Sequence, residues 1–229
     1  MSITAILDAD YLLYRVGFGK KEYPVEDAIV ALDEILYDIF AKVPSDYQLL
    51  FLSDSKNCFR LKVDPTYKAN RKQDKPEHFE ALNEHLIDIW CAEVADGMEA
   101  DDALSLNNVN TDTHTTILIS IDKDLLQVPG AHYNPMKDLH FAVGQPAALY
   151  NFYTQLLVGD STDNIKGVPG IGKVRAGKLL QDCFTEVEMF EAVRKAYAND
   201  VEMRKNASLL WLLSNDRKCM ALEEPCTQN

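Results

Sequence analysis

Acidic side chains recur in small groups along the chain, and this grouping suits the binding of hard divalent cations. Carboxylates at such density repel one another and stay charged at neutral pH only where cations offset them. Oxygen ligands without neighbouring His or Cys favour Mg²⁺ or Mn²⁺ over zinc. Two such ions roughly 4 Å apart can assist an in-line displacement at phosphorus. The groups are Asp8 with Asp10, Asp54, Glu99 with Asp101 and Asp102, Asp122 with Asp124, and Asp160 with Asp163.

Each acidic group also has an ordinary structural explanation. A single Asp after a strand commonly caps a helix or forms a turn, and acids in the first turn of a helix interact favourably with its dipole. Asp122 and Asp124 could lie in a turn. Asp160 and Asp163 could cap the turn that precedes Gly167. These explanations cover one or two acids at a time, so the recurrence of the pattern favours a shared cation site.

The string GDSTDNIKGVPGIG at residues 159–172 is the most specific in the chain. Gly170 and Gly172 bracket Ile171 and permit a tight turn between two helices. The backbone N–H groups of such a turn can meet a phosphate. The string is not a Walker A motif, because the spacing and the hydroxyl residue are absent. A helical hairpin with basic residues around its turn predicts a contact with duplex that is independent of base sequence. These basic residues are Lys166, Lys173, Arg175 and Lys178.

Charge is unevenly distributed along the chain. The net charge of −13 and the pI near 4.8 argue, by themselves, against a nucleic-acid partner. Residues 56–75 nevertheless contain seven Lys or Arg and two Asp, and residues 166–178 contain four Lys or Arg and no acid. Between them, residues 77–102 hold nine acids and no Lys or Arg. Two basic segments flanking an acidic one fit a surface that grips phosphates around a cation site.

Length and composition set broad limits. A chain of 229 residues with 47% hydrophobic content can bury one sizeable core, with a small appended lobe. No window approaches 18 uninterrupted apolar residues, and no signal peptide is indicated at the N-terminus. The five cysteines are scattered without a C-x-x-C pair, so neither a zinc site nor a disulfide framework is expected. We therefore expect an intracellular protein.

Three apolar runs predict strands that end in acids. Residues 3–8, 47–54 and 115–122 are short, apolar and finish on a carboxylate. Segments of helical periodicity, such as residues 25–40, separate them. Strands that alternate with helices indicate an α/β fold around a mainly parallel sheet. Because ligands bind beyond the carboxyl ends of such strands, the three terminal carboxylates should meet at one edge.

The remaining segments are predicted from their composition and periodicity. Residues 64–76 are polar, basic and bounded by prolines, which predicts a loop, and Phe59 with Arg60 is expected in a strand before it. Residues 77–90 have helical spacing, and the chain from residue 146 onward is predicted to be mostly helical. The expected helices of that part cover residues 147–157, 174–183, 187–198 and 201–213.

Five strings occur in an order that resembles one known family, the flap endonuclease/5′→3′ exonuclease family. This family includes the bacteriophage 5′ exonucleases and the N-terminal nuclease domain of bacterial DNA polymerase I. The resemblance spans about residues 3–182; its last motif, a helix–three-turn–helix, is quite specific, whereas EADD alone is weak. The strings are ILDAD (residues 6–10), YKANR (67–71), EADD (99–102), SIDKD (120–124) and the glycine-rich string at 159–172.

The resemblance implies a fold and a domain organisation. Residues 1–145 would form a PIN-like α/β core, in which helices flank a mainly parallel sheet, with a short arch segment at residues 64–98. Residues 146–229 would form a helical DNA-binding lobe, with the helix–three-turn–helix at about residues 147–183.

The resemblance also implies an activity and a ligand set. The protein would be a structure-specific 5′ nuclease of phage type, a 5′→3′ exonuclease and flap endonuclease. It would hydrolyse DNA by two-metal-ion catalysis in replication or DNA processing. The cofactors would be two Mg²⁺ or Mn²⁺ ions. Ligands of the first metal would be Asp8, Asp54, Glu99 and Asp101. Those serving the second, some through water, would be Asp102, Asp122, Asp124, Asp160 and Asp163.

Further roles follow from the same resemblance. Tyr67, Lys68 and Arg71 match a segment at the base of a helical arch. There the Lys approaches the scissile phosphate, the Arg assists, and the Tyr can stack on the terminal base. A K⁺ ion would bind backbone carbonyls around Val168 and Ile171. DNA would be contacted by Gly170, Gly172, Lys166, Lys173, Arg175 and Lys178.

The resemblance implies partners as well, and the chain departs from the family at three points. The substrate would be DNA with 5′ ends, flaps or nicks, with duplexed RNA as an alternative. The protein would be a monomer without a membrane partner, in the cytoplasm, and in the host cytoplasm if it is phage-encoded. Ser120-Ile121 replaces a common Ser-Thr pair, Asp10 is an extra acid without an assigned role, and the arch segment is short.

Two other functions are compatible with parts of the sequence. An inactive binding module on the same fold would have broken acidic groups, whereas the expected carboxylates are all present here. A small-molecule phosphatase could use Asp8 as nucleophile and Asp10 as acid, but it would need Thr where Leu12 stands, and the glycine hairpin would then lack a purpose. The balance between exonuclease and endonuclease action, and between DNA and RNA, stays open.

Overall fold

The computed structural model describes residues 1–71 and 74–222. Lys72 of the basic segment, Cys226 and the end of the predicted C-terminal lobe lie outside the described residues. The strands are β1 (Ser2–Asp8), β2 (Tyr47–Ser53), β3 (Glu93–Ala95), β4 (His114–Ile119), β5 (Gly130–Asn134), β6 (Leu139–Val143), β7 (Gly159–Asp160) and β8 (Ile165–Lys166). The helices are α1 (Asp10–Gly19), α2 (Val25–Lys42), α3 (Arg60–Val63), α4 (Phe79–Asp88), α5 (Ala100–Leu106), α6 (Gln145–Val158), α7 (Lys173–Leu180), α8 (Glu186–Ala196) and α9 (Asp200–Leu210).

The chain divides into two compact units that are each discontinuous in sequence. The sheet unit contains residues 1–58, 73–125 and 130–143. The helical unit contains residues 59–72, 126–129 and 144–229. Residues 59–72 therefore group with the C-terminal helices, although they precede most of the sheet in sequence. A single boundary at residues 145–146 stays a prediction.

The sheet unit is built on a six-stranded sheet in the order β3-β2-β1-β4-β5-β6. The first five strands run parallel and β6 pairs antiparallel with β5. The α/β class, the mainly parallel sheet and the three predicted strands are confirmed, but only β1 ends on an acid: Asp54 directly follows β2, and Asp122 lies three residues after β4. Since β1 lies between β2 and β4, the carboxyl ends of these three strands are adjacent along one edge of the sheet.

The core of the sheet unit explains why these strands read as apolar runs. Ala5 and Leu7 of β1 are fully buried and pack with Leu32 and Leu36 of α2. A strand covered on both faces buries nearly every residue, so its sequence shows no alternation. The sequence did not predict α1 or the hairpin of β5 and β6. Helix α1 follows β1 after one residue, so its apolar positions merge in sequence with those of the strand.

The helical unit has its own core, formed by α6, α7, α8 and α9. Phe152 and Leu156 of α6 pack there with Val193 of α8 and Met203 of α9. Helix α8 begins with a capping box in which Thr185 and Glu188 each accept the other's backbone N–H. The helices predicted after residue 146 are confirmed with shifted ends. No helix within the described residues is long and apolar enough to cross a membrane.

Arg60 shows where the expectation for the segment before residue 64 was wrong. Phe59 and Arg60 lie at the start of the short helix α3, not in a strand. The Arg60 side chain is 1% exposed and donates to the carbonyls of Leu209 (2.8 Å) and Trp211 (3.1 Å). Leu209 lies in the last turn of α9 and Trp211 directly follows the helix, where carbonyl groups have no partner within the helix. Arg60 therefore ties residues 59–63 to the end of α9 and is unavailable to bind phosphate.

Candidate active site

Asp8 ends β1 and is buried, with 6% of its surface exposed. Its carboxylate accepts hydrogen bonds from the Ser120 hydroxyl at 3.0 Å and from the Asp10 N–H at 3.1 Å. Burial, followed by the negative charge of Asp10, raises the pKa of Asp8 to about 8, although these two hydrogen bonds act in the opposite direction. Asp122 raises the pKa further. The two hydrogen bonds that the Asp8 carboxylate accepts therefore do not offset the effects of burial and of the neighbouring acids on its charge.

Asp10, whose role the sequence left open, connects the first helix to the neighbouring strand. Its carboxylate accepts the backbone N–H of Ser53 at 3.1 Å. The Ser53 hydroxyl in turn accepts the N–H of Ala100 at 2.8 Å. This chain of contacts runs from the start of α1 through the end of β2 to the start of α5. Asp10 and Ser53 therefore help to position the acids that surround Asp8.

The end of β4 carries the turn with Asp122 and Asp124. Ser120 lies between the two acidic groups, because its hydroxyl donates to Asp8 and accepts the Asp122 N–H at 3.0 Å. The Asp122 carboxylate accepts the Asp124 N–H at 2.8 Å. Lys123 lies 3.5 Å from the Asp124 carboxylate. The expected turn is present, and Ser120 joins it to the end of β1.

The EADD string forms the start of α5, and its acids serve different purposes. Glu99 and Asp102 form a capping box, in which the Asp102 carboxylate accepts the Glu99 N–H at 3.3 Å. The helix-capping explanation therefore accounts for these two acids. Asp101 is different: its Oδ1 is buried and has no hydrogen-bond partner among the described residues. An unsatisfied buried carboxylate oxygen is costly unless a cation or a donor reaches it.

The charges around Asp101 identify which predicted acids lie together. Burial, followed by the charge of Asp8, raises the pKa of Asp101 well above its ordinary value. The charges of Asp122, Glu99 and Asp124 raise the pKa of Asp101 further, so four other predicted ligands act on this carboxylate. We call these five the acidic cluster. They are Asp8, Glu99, Asp101, Asp122 and Asp124.

Asp54 has local partners instead. Its carboxylate accepts the side-chain amide of Asn57 at 3.0 and 3.1 Å, the Asn57 N–H at 3.2 Å and the Gly97 N–H at 3.3 Å. The Asn57 amide is the main reason why the pKa of Asp54 is lowered. These contacts match the turn-forming explanation that the sequence also allowed.

The donor set of the acidic cluster fits hard divalent cations, since it consists of carboxylates alone. The partnerless Oδ1 of Asp101 and the raised pKa of Asp8 both indicate negative charge that a cation would offset. Within residues 1–71 and 74–222, however, no three Asp, Glu, His or Cys side chains are gathered closely enough to hold an ion. Like charges without a counterion repel one another, so closing the cluster around an ion requires side-chain movement.

In the helical unit, Asp160 and Asp163 lie on the hairpin of β7 and β8. Asp160 is buried and accepts the Thr162 N–H at 2.8 Å. Gly159, with φ of 76°, approaches the backbone of Ile165 and Gly167 so closely that a Cβ would clash. The glycine is therefore required by the tightness of the hairpin, a reason that the sequence did not reveal.

The YKANR segment contacts the same hairpin through Asp163, which is 7% exposed. Tyr67 donates its hydroxyl to Oδ2 at 3.1 Å, Arg71 donates to Oδ1, and the Lys68 ammonium lies 3.9 Å from Oδ2. Tyr67 is 6% exposed and belongs to the core of the helical unit. The expectation that Tyr67 stacks on a terminal base is therefore corrected, because its ring is covered by core residues.

The glycine-rich turn leads into α7 as predicted. Gly172 caps the helix, Lys173 is its first residue, and Gly170 has a φ of 77°. Arg175 donates to the Gly170 carbonyl at 2.8 Å. The Val168 carbonyl accepts the Ile171 N–H at 3.0 Å. Two carbonyls of the expected K⁺ region thus already accept bonds, and the K⁺ site stays a prediction. The exposed basic residues are Lys166, Lys173, Arg175 and Lys178.

Two serines are the site residues that the sequence reading missed. Ser120 and Ser53 each stand within two residues of a predicted ligand, at or just after the end of a strand. Ser120 joins the end of β1 to the turn after β4, and Ser53 joins the end of β2 to the starts of α1 and α5. A polar residue placed between an apolar run and an acid is the only signal that could have indicated them.

The chain is similar to known exonucleases and to part of a DNA polymerase. The model of the 5′-3′ exonuclease N-terminal resolvase-like domain matches residues 4–151, more than half of the chain. DNA polymerase I of Rhizobium leguminosarum is 32% identical over 146 residues, which are 56% of this chain and 14% of that protein. The 5′-3′ exonuclease of Buchnera aphidicola subsp. Schizaphis graminum is 26% identical over 229 residues, covering 89% of this chain and 78% of that protein. The chain thus spans only a small part of the polymerase.

Solved structures agree with the fold. The T5 D15 protein co-crystallised with metal ions is 17% identical, with a TM-score of 0.67 over 91% of this chain and 89% of the other. A complex of the T5 D15 flap endonuclease with DNA and metal ions is also 17% identical, with a TM-score of 0.62 over 91% and 88% of the two chains. The α/β architecture is accordingly PIN-like. Together with the family match, these findings show that the chain belongs to the family of the 5′-3′ exonuclease N-terminal, resolvase-like domain.

Proposed function

We propose that this protein is a structure-specific 5′ nuclease that hydrolyses DNA phosphodiesters with two Mg²⁺ or Mn²⁺ ions. The observation that carries the proposal is the acidic cluster, in which Asp101 keeps a buried oxygen without a partner beside four other carboxylates. Such a cluster destabilises the fold unless it binds cations, so a function must account for it. Relatives named exonuclease and DNA polymerase I, and a neighbour in complex with DNA and metal ions, support a nucleic-acid substrate.

The cations would be held mainly by the acidic cluster, with Asp160 as a further ligand. Asp54 has the least support among the expected ligands, because the Asn57 amide and two backbone N–H groups donate to its carboxylate and its pKa is lowered. Asp102, like Glu99, is also explained by the capping box of α5. When bound, such ions polarise the phosphodiester, activate a water molecule and stabilise the leaving oxygen. Ser120 would keep Asp8 and Asp122 in register, and Asp10 would keep the end of β2 beside the start of α1.

Cationic side chains would stabilise the charge that develops on the phosphate. Lys68 and Arg71 are the candidates, because each carries a positive charge within a segment that hydrogen bonds hold in place. Lys68 has a φ of 57°, an unusual conformation for a residue with a Cβ, and the surrounding contacts must maintain it.

Duplex binding would fall to the turn before α7. The exposed residues Lys173, Arg175 and Lys178 would neutralise phosphates, and the N–H groups after Gly170 would contact one phosphate directly. A K⁺ ion at carbonyls near Val168 and Ile171 would add to this contact. We further propose a phage-type protein that acts as a monomer in the cytoplasm, during replication or DNA processing.

The test uses flap, nicked and blunt DNA substrates labelled at both ends, with Mg²⁺, Mn²⁺ or EDTA. We expect 5′-terminal products with 3′-hydroxyl and 5′-phosphate ends in Mg²⁺ and in Mn²⁺, and none in EDTA. Asp122→Asn should bind DNA in Ca²⁺ but fail to cut it. Folded wild-type protein that leaves every substrate intact with both metals would refute the proposal, and a matched RNA duplex decides between the two nucleic acids.

A further inference from the structure

Asp163 is the point at which the YKANR segment joins the hairpin of β7 and β8. Both carboxylate oxygens are used, since Tyr67 donates to Oδ2 and Arg71 donates to Oδ1. The Lys68 ammonium lies 3.9 Å from Oδ2, and the Lys68 N–H donates to the backbone carbonyl of Asp163 at 3.0 Å. One residue thus contacts three of the five residues of the segment.

Neighbouring contacts reinforce the same junction. Asn164 donates its side-chain amide to the Thr66 carbonyl at 2.9 Å, and Asn70 donates to the Ser161 carbonyl. Three residues before the segment, Lys205 of α9 contacts the Asp64 carboxylate at 3.0 Å. The YKANR segment and the residues just before it are therefore held by the turn that connects β7 to β8 and by α9. A polar network of this kind fixes one conformation when its members are all satisfied.

The electrostatics of Asp163 differ from those expected of a cation ligand. A buried carboxylate is stable when positive charges and donors surround it, and Arg71, Lys68 and Tyr67 supply them. The carboxylate of Asp163 needs no metal ion for compensation, unlike that of Asp101. A cation placed on Asp163 would have to displace Arg71, and it would be repelled by the two cationic side chains.

We propose that Asp163 is a positioning residue that holds Lys68 and Arg71 in place. The family resemblance implied that Asp163 is a metal ligand, and this proposal replaces that role. This inference rests on the proposed function for what Lys68 and Arg71 do, but the anchoring itself does not depend on activity. Removing the carboxylate should loosen residues 64–71 and slow the reaction through Lys68 and Arg71, while the number of bound cations stays the same.

The first measurement is hydrogen exchange in EDTA, compared between Asp163→Asn and the wild type. We expect the amides of residues 66–71 to exchange about tenfold faster, which is the scale of one lost charge-assisted hydrogen bond. Asp200→Asn is the matched control, because it removes another carboxylate that pairs with an Arg, Arg194, in the same unit. Unchanged exchange in Asp163→Asn would overturn the anchoring role.

The second measurement is the number of Mn²⁺ ions that the protein binds in the absence of DNA, determined by calorimetry or electron paramagnetic resonance. We expect Asp163→Asn to bind as many ions as the wild type, whereas Asp8→Asn binds fewer. Loss of an ion in Asp163→Asn would make Asp163 a ligand and overturn the proposal.

The third measurement is a double-mutant cycle on the single-turnover cleavage rate. If Asp163 acts through Arg71, then Asp163→Asn combined with Arg71→Ala should be no slower than the slower single variant. Multiplicative effects would indicate independent roles and overturn the proposal. If Asp163→Asn fails to fold, Tyr67→Phe replaces it, because that variant removes one donor to Asp163 and should still accelerate exchange at residues 66–71.

The outcomes separate the two proposals. A wild-type protein that cuts no substrate contradicts the proposed function, yet faster exchange in Asp163→Asn still supports the anchoring of the segment. An active wild type with unchanged exchange in Asp163→Asn leaves the proposed function standing and removes Asp163 from it.

Discussion

Asp8 and Asp163 are both buried carboxylates, but their surroundings are opposite. Asp8, at the edge of the sheet, is surrounded by other acids, and its pKa is raised to about 8. Asp163, on the hairpin of the helical unit, is surrounded by Arg71, Lys68 and the Tyr67 hydroxyl. Burial alone therefore does not identify a cation site. What identifies a cation site is whether protein groups already compensate the charge of the carboxylate.

The largest expected effect is that of Asp8→Asn on cleavage. Loss of one ligand from the acidic cluster removes several kcal/mol of charge stabilisation, so the single-turnover rate should fall about a thousandfold. DNA binding in Ca²⁺ should persist. Asp46→Asn is the control, since Asp46 accepts the Ile3 N–H at the opposite end of β1. Normal turnover of Asp8→Asn would remove the edge of the sheet from the reaction.

Lys68→Ala should have the next largest effect. Removing one preorganised cationic group near the phosphate should slow the chemical step about a hundredfold and change the dissociation constant for DNA far less. Single-turnover kinetics and equilibrium binding separate the two quantities. Lys62→Ala, an exposed Lys of the same basic segment, should leave both nearly unchanged. Equal effects of the two variants would return Lys68 to the general positive charge of the segment.

The pH dependence of stability should carry the sign set by Asp8. Its folded-state pKa of about 8 exceeds the value of 3.8 that it has without burial, so between these values the folded protein binds the extra proton. In EDTA, the free energy of unfolding should therefore fall by about 2 kcal/mol as the pH rises from 5 to 8. This is less than the upper limit for one titrating group, which is about 1.4 kcal/mol per pH unit. Urea unfolding followed by circular dichroism measures it, and Asp8→Asn should flatten the slope. A slope of opposite sign would contradict the account of the cluster.

Ser120→Ala tests whether the bridge between Asp8 and Asp122 matters. Loss of a hydroxyl that orients two ligands should weaken Mn²⁺ binding about tenfold, which calorimetry can measure. Ser2→Ala is the control, because Ser2 lies at the opposite end of β1 and its hydroxyl hydrogen-bonds to His114. Equal Mn²⁺ affinities in the two variants would count against a positioning role for Ser120.

The smallest expected effect is that of Lys173→Ala on DNA binding. One phosphate contact contributes about fivefold at 0.15 M salt, and its loss should lower the slope of log K against log salt by about 1. Fluorescence anisotropy at several salt concentrations measures both. Lys195→Ala, an exposed Lys on α8, is the control. An unchanged slope in Lys173→Ala would place the duplex elsewhere.

Much of the fold and part of the site could be predicted from the sequence. Apolar runs ending in acids predicted β1, β2 and β4, because local periodicity and strand ends are written in consecutive residues. The same runs predicted that Asp8 and Asp122 lie near one another, since parallel strands end at one edge. The roles of Tyr67, Arg60 and Asp10 could not be read in this way, because their partners are distant in sequence.

The sequence by itself determined the residue types, the order of the elements and the presence of more carboxylates than a fold needs. Only the tertiary structure decided which carboxylates are compensated. Asp101 and Asp102 are adjacent, yet Asp102 closes the capping box of α5, whereas the Oδ1 of Asp101 is buried without a hydrogen-bond partner among the described residues. Asp163 is neutralised by Arg71, 92 positions earlier in the chain. The state of a charge depends on what surrounds it in space, and folding brings those neighbours from remote parts of the sequence.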